Sequence, residues 1–130
     1  MLPTWMIVIG AVAVLDGIWI TMNGKMYSAL YTRVQCGKPM RVKIDGAVLA
    51  YVFLATVMIV FLPPLVKNTD RSLLTSFKTA GLLGACIYGI YNFTNLATLT
   101  DYSLKAAMID TLWGTTLFTI VGWLIANYGK

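Results

Sequence analysis

Residues 48–66 read VLAYVFLATVMIVFLPPLV, nineteen positions without a charge. About 20 apolar residues in a helix cross the hydrocarbon core of a bilayer. The run extends back to Ile44, and Pro63 and Pro64 fall at its exit rather than its middle, where a helix tolerates them best. Three more runs of this kind flank it. Residues 4–22 are broken only by Asp16, residues 74–97 carry Lys78 early, and residues 106–128 hold Asp110 near their start.

The whole composition agrees. The 130 residues are 58% hydrophobic and 12% charged, with mean hydropathy +0.76. Soluble domains carry about 25% charged residues, and a chain this short buries only roughly 60–70% of its surface. Lipid must solvate the remainder. The first run lacks a basic leader and exceeds the roughly 7–15 residues of a signal peptide's apolar core, so it reads as a retained span. The expected fold is an all-α membrane protein, a four-transmembrane-helix bundle forming a single integral membrane domain over residues 1–130. Its spans are 4–22, 44–66, 74–97 and 106–128.

The one long connector is 23–43. There Met26, Tyr27, Leu30, Tyr31 and Val34 follow a helical period, with Lys25, Ser28, Thr32, Arg33 and Gln35 on the other side. This pattern predicts a short interfacial amphipathic helix between helices 1 and 2, its apolar stripe on the membrane, ended by Gly37 and Pro39. Lys25, Arg33, Lys38, Arg41 and Lys43 lie in this segment without an acid among them. They are expected to contact anionic headgroups or a protein partner, not nucleic acid. Four crossings place both termini on one face, and the basic excess of the other face assigns that one to the cytoplasm.

Several chemistries lack their residues. With no histidine in the chain, a zinc site or a histidine triad is not expected, and no metal or cofactor is assigned. Cys36 and Cys86 form neither CxxC nor a disulfide framework. Gly81 and Gly84 are followed by no phosphate-binding lysine and read as a helix contact. Asp16 and Asp110, without a nucleophile beside them, do not suggest an enzyme.

The polar residues nevertheless converge. Residues 88–102, YGIYNFTNLATLTDY, close helix 3 with two carboxamides three positions apart. Asp16, Asn92, Asn95 and Asp110 all fall in the same half of the bilayer. Gly81, Gly84, Tyr88, Asn92 and Asn95 share a stripe on helix 3, Asp110, Trp113 and Gly114 one on helix 4, and Asp16 and Trp19 one on helix 1. The expected cluster is Asp16, Tyr88, Asn92, Asn95, Asp110 and Trp113 at one depth, with both asparagines donating to the aspartates. The tryptophans read as belt or packing residues.

YNFTNLATL followed by Asp110 and the Trp113-Gly114-Thr115 triplet, with Asp16 and Trp19 upstream, resembles an uncharacterised predicted membrane protein family (domain of unknown function 2177) found in bacteria and large DNA viruses. Members of that family usually read Tyr-Asp where this chain has Tyr91-Asn92. The resemblance implies a topology and no activity. Two roles fit. One is a structural or interaction protein, such as a minor protein of a virion inner membrane contacting the capsid, with the polar cluster fixing helix register. The other is a small oligomeric transporter or channel with Asp16, Asn92, Asn95 and Asp110 as a ligand or ion site. Either lives in a cell membrane or a viral inner membrane, among lipid and further protein subunits (capsid or membrane proteins, or copies of itself).

Overall fold

The computed structural model describes residues 1–130 as four long helices joined by short turns. These are α1 (Thr4–Val34), α2 (Ile44–Val66), α3 (Leu73–Thr98) and α4 (Leu104–Tyr128), each long and apolar enough to cross a membrane. Serines start the last two. Ser72 accepts from the Thr75 N–H at 3.1 Å and Ser103 from the Ala106 N–H at 3.2 Å, which satisfies donors that the first helical turn leaves free. In the 67–72 turn, the backbone N–H of Ser72 donates to Asp70, and this bond chiefly holds that exposed carboxyl below its usual range.

The separate interfacial helix expected after helix 1 is replaced by a continuation of α1. This helix runs 31 residues without a break, about 46 Å at 1.5 Å per residue, enough for hydrocarbon and headgroup layers together. The stripe read from the sequence is present, but its partner is protein. Leu30 is buried with Tyr102, Ala106 and Ala107, and Met26 and Val34 pack beside it. That contact outweighs the cost of Gly24 within the helix, about 1 kcal/mol relative to alanine. The helix stops near Gly37, whose φ of 86° follows the left-handed Cys36. The Gly37 N–H returns to the Thr32 carbonyl at 2.9 Å.

α4 is the hub, with ten buried residues, and the other three helices pack around it. α3 approaches it most closely because small residues meet small residues. A Cβ on Gly122 would lie 2.6 Å from Ala80, and one on Gly84 would lie 2.7 Å from Phe118. The α3 segment pressed on α4 includes a single π turn, Phe77–Gly81. α2 behaves differently along its length. Met58, Leu62 and Val66 are its buried residues, all in its second half, whereas Tyr51, Val52 and Phe53 are exposed. Its first half therefore stands off the bundle.

The chain ends meet. Leu2 donates to the Tyr128 carbonyl at 2.8 Å, and the Lys130 N–H donates to the Leu2 carbonyl at 3.0 Å. Cys36 belongs to the opposite end, in the turn after α1. An impermeant maleimide added outside sealed, uniformly oriented vesicles is therefore expected to label either Cys36 or a Lys130→Cys variant, never both. Cys86 faces outward from a span and should stay silent, because thiolate formation needs water. Labelling of both end positions from one side would refute the topology.

Candidate functional site

Asp16 is buried in α1, 8% exposed, a little before the middle of the helix. A carboxylate near the bilayer centre costs at least about 2.5–3.5 kcal/mol unless donors or water meet it. Two donors do. The Trp113 indole N–H of α4 donates to Oδ1 at 2.9 Å, and the Tyr51 hydroxyl of α2 donates to Oδ2. Asp110 of α4 is served in the same way. The Tyr27 hydroxyl of α1 donates to Oδ1, and Nδ2 of Asn92 donates to Oδ2 at 2.6 Å. Asn92 is fully buried, and its carbonyl oxygen accepts from Tyr102 at 2.9 Å.

The two acids are separate nodes joined through aromatic rings. Trp19 and Trp113 stack with centroids 4.5 Å apart and planes 1° from parallel. The Trp19 N–H then donates to the Tyr27 hydroxyl at 2.8 Å. A continuous path thus links Tyr51, Asp16, Trp113, Trp19, Tyr27, Asp110, Asn92 and Tyr102 across all four helices and the α3–α4 turn. Tyr31 and Tyr91 pair at 2.8 Å nearer the loop end. No buried side-chain polar atom is left without a partner. Every donor to a carboxylate here is neutral.

The expected residues fall as follows. Asp16, Trp113, Asp110 and Asn92 join the network. Tyr88 packs on Gly114 and meets Phe118 edge-on at 6.3 Å. Asn95 is half-buried, and its side chain forms no hydrogen bond with either acid. The two acids take separate partners: Asn92 donates to Asp110 alone, while Asp16 is met by Tyr51 and by Trp113, three residues and so about 4.5 Å along α4 from Asp110. Lys25, Arg33, Lys38, Arg41 and Lys43 are all exposed toward the loop end.

Tyr27, Tyr51 and Tyr102 were not foreseen as donors. The sequence pattern places Tyr27 at the headgroups, because it predicts a separate helix that turns aside there. Tyr51 did carry a signal, as the sole residue with a polar tip in the VLAYVFLA stretch, residues 48–55, in the first half of α2.

Beside this network lies a cavity of about 600 Å³, within the roughly 300–1,000 Å³ of small-molecule sites. The standing-off half of α2 creates it. Asp16, Asp110, both stacked tryptophans and Tyr27, Tyr51 and Tyr88 line it, with Leu54, Val57 and Ile87 among its aliphatic walls. Met40 and Val42 of the 35–43 linker close its loop end. The metal-ligand chemistry is sparse, since no three of His, Cys, Asp or Glu come together.

Fold and cavity together define a polytopic membrane protein with a side pocket inside its own bundle. The chain belongs to the family described as predicted membrane proteins, DUF2177, whose model matches residues 1–126. No curated protein and no solved structure matches it.

Proposed function

We propose that this protein is an intramembrane binding protein, the small carrier type of transporter rather than an enzyme, which takes an elongated and largely apolar molecule from the bilayer into the cavity beside α2. The observation that carries this reading is the cavity itself. Fifteen of its eighteen lining residues are hydrophobic, yet two carboxylates open onto it at membrane depth. A bundle needing only register would close over its polar residues, as interhelical polar bonds contribute just about 0.6 kcal/mol on average. The exposed basic residues of α1 and the 35–43 linker act as headgroup contacts that seat the loop end at the membrane surface.

A structural role among capsid or membrane proteins, including a virion inner membrane, is the competing reading, and one experiment separates the two. Gly24 lines the cavity, and a Cβ there would meet nothing within 4 Å. Gly24→Phe should therefore fold normally and fill the space. In a Trp5→Phe/Trp123→Phe background only Trp19 and Trp113 fluoresce. Dibromododecanol added to phosphatidylcholine nanodiscs should quench them, and Gly24→Phe should weaken that quenching at least tenfold in half-maximal concentration. Quenching indifferent to Gly24→Phe would come from bulk lipid and would leave the structural role standing.

A further inference from the structure

Resting on the cavity reading, we infer that the molecule bound there carries a positive charge, an amphipathic organic cation whose charged centre sits between Asp16 and the aromatic rings. A carboxylate has about four acceptor positions. Asp16 uses two of them, on Tyr51 and Trp113, and Asp110 uses two, on Tyr27 and Asn92. Both side chains nonetheless line the cavity. Acceptor capacity is thus left on both acids, facing a space whose lining includes tyrosine hydroxyls but no lysine or arginine.

Charge supports the same conclusion. Tyrosine, tryptophan and asparagine donate hydrogen bonds but bring no positive charge, and every basic side chain of the loop end points outward. A ligand cation supplies what the walls lack. The walls also suit it, because indole and phenol rings attract a cation over their faces, most strongly where water is excluded. Trp19 and Trp113 cover one face of each other, which leaves the remaining rings around the acids, Tyr51 and Tyr88 among them, for the ligand. Lys38, Arg41 and Lys43 repel a cation arriving past Met40 and Val42, so access runs from the bilayer beside the first half of α2.

The test uses three brominated twelve-carbon amphiphiles that differ only in the head: trimethylammonium, hydroxyl and carboxylate. Each is titrated into neutral phosphatidylcholine nanodiscs holding the full chain with Trp19 and Trp113 as its only tryptophans, alongside its Gly24→Phe counterpart. The component of quenching abolished by Gly24→Phe should reach half-maximum at least tenfold lower for the ammonium than for the alcohol, with the carboxylate weakest. Asp16→Asn should erase the advantage of the ammonium. Equal potency of ammonium and alcohol would overturn the cation inference and leave the cavity reading intact. Absence of any component sensitive to Gly24→Phe would overturn both. Should Asp16→Asn fail to fold, the head-group series in the unmodified site still decides.

Discussion

Gly114→Val is expected to abolish folding of the bundle, and Gly114→Ala to lower its stability by about 1–3 kcal/mol, the usual range for overpacking. A Cβ on Gly114 would clash with Cγ and Cδ2 of the Tyr88 ring and lie only 2.7 Å from the Tyr88 Cβ. The backbones leave no slack, because a Cβ on Gly84 across the contact would already lie 2.5 Å from the Gly114 carbonyl oxygen. α3 and α4 therefore touch glycine to glycine, which is how membrane helices gain packing when no hydrophobic drive separates lipid from protein. Swinging the Tyr88 ring toward the cavity relieves the ring's clash with an alanine methyl, but the Tyr88 Cβ stays 2.7 Å away, so the helices must also part slightly, and a branched side chain would force them further apart. Unfolding in sodium dodecyl sulfate, followed by circular dichroism, measures both variants. Gly17→Val is the control, since nothing lies within 4 Å of its Cβ position, and Tyr88→Ala should restore only part of the stability lost in Gly114→Ala, because it removes the ring and keeps the Cβ. Equal stability of Gly114→Val and Gly17→Val would contradict the packing described.

The second large effect falls on Asn92. Asn92→Leu removes the donor to Asp110 Oδ2 and the acceptor for the Tyr102 hydroxyl together. Leaving a buried polar group unpaired costs about 1–3 kcal/mol, and more when the group is charged. Two orphaned partners at a fully buried position should thus lower the unfolding free energy by at least about 2 kcal/mol. Asn68→Leu, in the exposed turn after α2, should change little. The comparison is made by thermal unfolding in detergent with both variants at equal concentration. A melting temperature shared by Asn92→Leu and Asn68→Leu would mean that the Asp110 bond carries no stability.

Much of this molecule was legible in its residues. Four uncharged or nearly uncharged runs of membrane length leave one architecture, because an unpaired backbone cannot lie in lipid and a helix pairs its own. The adjacency of the termini follows from an even number of crossings. The union of Asp110 with Asn92 was readable for the same reason of cost, since an acid at membrane depth must find donors and the 88–102 stretch offers carboxamides.

What the residues left open concerns direction in space. The stripe through Tyr27, Leu30 and Val34 has the same period whether it covers headgroups or Ala106 and Ala107, and periodicity carries no information about which surface receives it. Only the tertiary contact decides that α1 continues, and with it that Tyr27 reaches Asp110. The same holds for Asp16. Any donor on any helix could have met it, and the choice of Tyr51 and Trp113 over Asn95 depends on how the helices are rotated and how far α2 leans. That lean is decided by close packing at one end, where Met58, Leu62 and Val66 meet α4, and by its absence at the other. The cavity it opens is a property of packing between distant segments, so no local pattern in the chain could announce it.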